Sequence, residues 1–155
     1  MKNYVISPSS PLGEATEIAL TLLVRNSLLV RKYAGEYHKV NVNAYIRDFM
    51  TVRCCAGRRT GNTTAGVKVA KDLFEKPAFM WDNQHMAKMW AKDFGLDSSA
   101  CGSYNSLNYL VGRPFDCLFM DGISYANPDK VEQAIWACQD NAKLFPDRFT
   151  IIQVG

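Results

Sequence analysis

The chain has no C-x-x-C pair and only two histidines, His38 and His85, neither with a Cys or acidic neighbour at metal-ligand spacing. A zinc site of the usual kind is therefore not expected. Its five cysteines, Cys54, Cys55, Cys101, Cys117 and Cys138, are an odd number and suit reduced thiols better than a disulfide framework. Cys54, Cys55 and Cys117 lie in apolar runs, where a thiol behaves as a small hydrophobe. Long hydrophobic runs are also missing. The longest, 19–24, is interrupted by Thr21 and ends at Arg25, far short of the ~20 residues of a bilayer span. No signal-peptide-like stretch precedes Pro8 and Pro11, so the expectation is a cytoplasmic protein with no membrane partner, in the host cytoplasm if the protein is viral. Repeats and low-complexity tracts are absent as well.

What is present suits one globular domain. The 155 residues are 48% hydrophobic and 12% aromatic, enough to bury a sizeable core. The formal net charge of +3 is unevenly spread. Residues 51–75 carry the positive excess, densest at Arg53, Arg58 and Arg59, whereas 76–155 are net acidic. A short basic segment in a nearly neutral chain points to a local anion site more than to a duplex-binding surface.

Periodicity divides the chain in two. Residues 1–50 read as a helical N-terminal extension, and 51–155 as an α/β core. Apolar positions Ile18, Leu22, Leu29 and Tyr33, with Leu23 and Val30, predict a heavily buried helix over 14–34, after a Ser10 cap and Pro11 start and before Gly35. A second short helix is expected over 43–50. Strands are expected at 51–56, 77–81, 115–121 and 149–154. Helices are expected from after Thr64 to about 74, over 83–94 with Asp82 or Asn83 as cap and Gly95 as stop, and from Asn127-Pro128 to about 144. The segment 98–109, rich in Ser, Asn and Gly, predicts no regular element. Alternating strands and helices imply a parallel sheet with helices on both faces, a three-layer architecture.

Two segments carry the chemistry. Ala56-Gly57-Arg58-Arg59-Thr60-Gly61-Asn62-Thr63, followed by Thr64, stands between an expected strand and an expected helix. Glycines there let successive backbone N–H groups turn toward an anion, and the helix adds its N-terminal dipole. The spacing resembles the Walker A motif of P-loop NTPases, with Asn62 where that family has lysine. The second segment, Phe115-Asp116-Cys117-Leu118-Phe119-Met120-Asp121, resembles Walker B, an apolar strand ending in an acid.

The resemblance implies a nucleotide site with ATP and Mg²⁺ as ligands. Gly57, Arg58, Arg59, Thr60, Gly61, Asn62, Thr63 and Thr64 would cradle the phosphates, and Thr63 and Asp121 would complete the Mg²⁺ shell. Asn62 offers only an uncharged amide, a loss worth roughly 1.5–3 kcal/mol unless Arg58 or Arg59 folds over the phosphates. Gly122 stands where a catalytic glutamate often follows Walker B. In helicase-like and terminase-like ATPases a polar residue at the tip of the strand after Walker B senses the γ-phosphate, and helicase-like sites place a strand between the Walker A and Walker B strands. By position, 149–154 would be that strand and Gln153 that residue. Short P-loop proteins of bacterial viruses have similar wording.

The expected function is thus nucleotide or phosphate binding with weak or absent hydrolysis. Two alternatives stand beside it. One is an interaction module with a vestigial site that binds a replication, packaging or host protein. The other is an ATPase acting on nucleic acid in viral DNA transactions. A strand, a glycine turn and a helix are also ordinary α/β punctuation, so geometry has to decide whether the two segments meet.

Overall fold

The structure, a computed structural model, describes residues 11–33, 41–55 and 61–155. Helices α1 (Pro11–Tyr33) and α2 (Val42–Phe49) precede β1 (Thr51–Cys54), α3 (Asn62–Leu73), β2 (Pro77–Trp81) and α4 (Gln84–Phe94). The chain continues through β3 (Cys101–Ser103), β4 (Cys117–Met120), α5 (Pro128–Ala137), α6 (Gln139–Leu144) and β5 (Thr150–Val154). All five strands are parallel, in the order β1-β5-β4-β2-β3. The last strand therefore lies between β1 and β4, the place expected for 149–154.

Local chemistry explains most boundaries. Asn83 accepts the Met86 N–H at 2.9 Å to open α4, and Gly95 closes it in the left-handed region at φ 63°. Asn127 caps α5 through the Asp129 N–H, with Pro128 in the first turn. The single helix expected to about 144 is two, parted at Cys138. The unexpected strand is β3, whose centre is Gly102. A Cβ there would stand 2.2 Å from the Tyr109 ring, so glycine is required by packing that the local pattern does not reveal.

Side chains alternate between two cores. Val52, Phe79, Trp81, Cys117, Phe119, Ile152 and Val154 face α1, α3 and α4, while Ala78, Met80, Leu118, Met120 and Ile151 face α2, α5 and α6. This is a three-layer α/β/α arrangement, and 11–50 contribute one helix to each outer layer. Helix α1 departs from expectation. Leu20 and Val24 are buried, but Ile18, Leu22, Leu23, Leu29, Val30 and Tyr33 are exposed. The apolar stripe that predicts a heavily buried helix is its solvent face, because the sheet-facing side is made by Gly13, Thr16, Leu20, Val24 and Arg31. No helix among the described residues is long and apolar enough to cross a membrane.

Buried polar groups tie the layers together. Arg31 on α1 donates to the Phe149 carbonyl and, at 2.8 Å, to Thr150 Oγ1, fixing α1 on the start of β5. Burial lowers its pKa to about 10, so it stays charged at neutral pH. Asp116, 1% exposed, accepts the Glu75 and Lys76 N–H groups at 3.1 and 2.9 Å, and Arg148 Nε lies 3.5 Å from its carboxylate. That carboxylate joins the turn after α3 to the starts of β4 and β5.

Helix α3 sits unusually close to β4. A Cβ on Gly66 would stand 2.2 Å from the Phe119 ring, which is itself boxed in by Phe79 and Trp81. In an unconstrained helix, Gly→Ala stabilises by about 1 kcal/mol. Gly66→Ala is expected to destabilise instead, by about 1–3 kcal/mol, as overpacking does. Urea denaturation reads the sign directly, and a raised midpoint would mean that the contact does not constrain α3.

Candidate functional site

The two motif segments meet at the carboxyl edge of the sheet. Helix α3 follows Gly61 at its N-cap, whose φ of 74° favours glycine and where a Cβ would stand 3.1 Å from the Gly13 backbone of α1. Two residues on, Thr63 Oγ1 donates to Asp121 Oδ1 at 2.9 Å. Asp121 follows β4 directly, and its own N–H bonds the Met80 carbonyl of β2 at 2.9 Å. The α3 N-terminus and the end of β4 are thus joined across the tip of β5.

Topology singles out this place. The helix after β2, α4, covers one face of the sheet, and the helices after β4, α5 and α6, cover the other. Neighbouring strands whose connections leave in opposite directions define a switch point, where α/β sheets bind ligands beyond their carboxyl ends. Asp121 stands at that point.

Burial raises the Asp121 pKa from its ordinary value, with the Thr63 hydroxyl and the Gly122 N–H acting against the shift. Tyr104, just past β3, donates its hydroxyl to the Asp121 carbonyl at 2.7 Å. The Tyr104 phenol is pushed up by burial and by the nearby Asp121 and Asp82 carboxylates, so it remains a neutral donor. Tyr104 comes from the segment that predicts no regular element. A lone Tyr among Ser and Asn offers no signal until β3 brings it to the sheet edge.

The other expected site residues are distributed as follows. Gly57, Arg58, Arg59 and Thr60 lie outside the described residues. Asn62 is buried in the first turn of α3, and Thr64 beside it is half-buried. Gln153 is near the site in the sheet but turned from it. It shares a rung with Met120, its amide lies 3.7 Å from the Met120 sulfur, and that side of the sheet faces α2, α5 and α6. Thr63 and Asp121 belong to the opposite side. Cys55, expected to act as a small hydrophobe, is exposed because β1 ends at Cys54.

Thr63 and Asp121 offer hard oxygen donors, which suit Mg²⁺. Among the described residues no group of three or more His, Cys, Asp or Glu side chains could hold a metal. A cation at these two side chains would need further ligands from outside them. Two open clefts, of about 460 and 450 Å³, lie elsewhere, lined by residues such as Lys76, Asp97 and Arg113 or Arg113, Trp136 and Leu144. Neither is lined by Thr63 or Asp121.

Comparison of the chain with protein-family models, with curated proteins and with solved structures finds no match.

The raised Asp121 pKa has a stability consequence with a definite sign. The folded state holds this proton to higher pH than the unfolded chain, so Asp121 costs nothing below the ordinary carboxylate range and destabilises as pH rises through its folded pKa. Asp121→Asn keeps an acceptor for Thr63 and removes the charge. At neutral pH the variant is expected to melt above the wild type, with the difference vanishing in acid. Thermal melts from acid to neutral pH check this, and a variant that melts lower at neutral pH would contradict it.

Proposed function

We infer that the chain binds a nucleotide or another phosphate-bearing ligand together with Mg²⁺ at the start of α3, and hydrolyses it slowly or not at all. The observation that carries this reading is the 2.9 Å contact between Thr63 and Asp121 at the switch point of the sheet. A helix N-terminus preceded by a glycine in the left-handed region offers N–H groups and a positive dipole end to an anion. A cation shared by Thr63 and Asp121 would offset the cost of burying that carboxylate.

Weak hydrolysis follows from what surrounds the pair. Gly122 gives no base beside Asp121, Asn62 gives no ammonium, and Gln153 turns its amide toward Met120. These departures remove catalytic groups and leave the anion cradle. Viral origin and action on nucleic acid are extensions of the same resemblance and rest on the motif wording alone.

Calorimetric titration with ATP and Mg²⁺ tests the reading. Binding is expected to need the cation, and to weaken by about tenfold in Thr63→Ala and by more in Asp121→Asn, since charge-assisted contacts are worth ~1.5–3 kcal/mol. Phosphate release is expected to stay near the uncatalysed level with or without single-stranded DNA. Absence of any heat with ATP or inorganic phosphate would remove the proposal, and rapid phosphate release would replace it with the ATPase alternative.

A further inference from the structure

We propose that the exposed face of α1 is a docking surface for a second copy of this chain, paired antiparallel through α1. Ile18, Leu22, Leu29 and Tyr33, between 53% and 83% exposed, fall within about 60° of arc on a helix of 3.6 residues per turn. They form an apolar line about 22 Å long on the side opposite Leu20 and Val24. Leu23 and Val30, each 40% exposed, widen it on one flank. A core-facing stripe would need no further partner, but here the sheet already has its own contacts from the other side of the helix.

Charge selects the occupant. Glu14 and Glu17 lie in the first half of α1, and Arg25, Arg31 and Lys32 in the second. Glu17 is engaged with Lys68 at 3.0 Å and Arg31 is buried against β5, which leaves Glu14, Arg25 and Lys32 on the outer surface. Glu14 and Lys32 project at the same angle around the helix, on the flank opposite Leu23 and Val30.

A two-fold axis perpendicular to α1 between Leu23 and Val24 keeps that flank on the same side in both copies. It sets Ile18 opposite Leu29 of the second copy. Glu14 then falls within about one residue, ~1.5 Å along the axis, of the second copy's Lys32. The charges meet in this direction only, since a parallel pair, with its two-fold along the helix, would set the two charged flanks on opposite sides of the contact. Such two-fold, isologous pairing is the commonest form of self-association. The two Arg25 side chains fall near the axis and oppose each other, and one helix pair buries less than the ~1,200 Å² at which stable assemblies begin. The dimer is therefore weak, with a Kd on the order of 10–100 μM.

Sedimentation velocity of the full chain from about 1 to 300 μM tests this, with circular dichroism confirming that each variant folds. The wild type is expected to shift from monomer toward dimer across the range. Leu22→Glu is expected to remain monomeric. Glu14→Lys and Lys32→Glu are each expected to raise Kd about tenfold, because each reversal repeats by symmetry, and the double exchange is expected to restore it to within about threefold. A wild type that stays monomeric at the highest concentration overturns the proposal and leaves the face to a different protein. A dimer that survives Leu22→Glu, or charge effects that add instead of cancelling in the double exchange, overturns it too.

Discussion

The contact on which the arrangement depends is the one between Gly66 and the Phe119 ring. Because that position of α3 carries no side chain, the helix lies directly on β4, and its first turn reaches the end of that strand. A helix held further off would leave Thr63 short of Asp121 by the thickness of a methyl group or more. Phe119 cannot retreat, since Phe79 and Trp81 pack around it. A packing restriction near the middle of the helix thus sets a polar distance at its end, which is how a close-packed interior transmits a constraint.

The elements that could be read in advance were those whose signals are local. Asn83 and Gly95 bracket α4, Asn127 and Pro128 open α5, and the continuous apolar runs of β2, β4 and β5 announce strands buried on both faces. The placement of β5 between β1 and β4 agreed with the resemblance to helicase-like sites, not with anything in the residues themselves. What stayed hidden depended on partners distant in sequence. The strand at β3 exists because β2 offers it an edge, and Gly102 is needed only because Tyr109 lies over it. The polarity of α1 is hidden for a related reason. Periodicity finds an apolar face, but it cannot say whether that face meets the sheet, and here a buried Arg31 bonded to β5 turned the other side inward.

At the site, motif spacing singles out Thr63 and Asp121, and the packing of α3 on β4 brings them to 2.9 Å. The spacing said nothing of Tyr104, which reaches Asp121 through tertiary structure alone. It also assigned Gln153 by position along its strand, whereas the pleat decides the face. One residue of offset separates the side of Val154 and Ile152 from that of Gln153 and Ile151, and only the first looks toward α3.

The two aspartates that bracket β4 show how environment, not residue type, assigns a role. Asp116 is almost wholly buried, and its oxygens are occupied by two backbone N–H groups with a guanidinium alongside. A carboxylate so engaged is structural, because any ligand would have to displace bonds that hold three segments together. Asp121, at the other end of the same strand, is half-buried with one hydroxyl and one amide against a larger desolvation cost, so its charge is poorly compensated. An under-compensated carboxylate at a solvent edge gains more from an arriving cation than a satisfied one can. The same imbalance that weakens the fold at Asp121 is therefore what would let that residue, and not its neighbour five positions earlier, gain from a bound cation, as the proposed function requires.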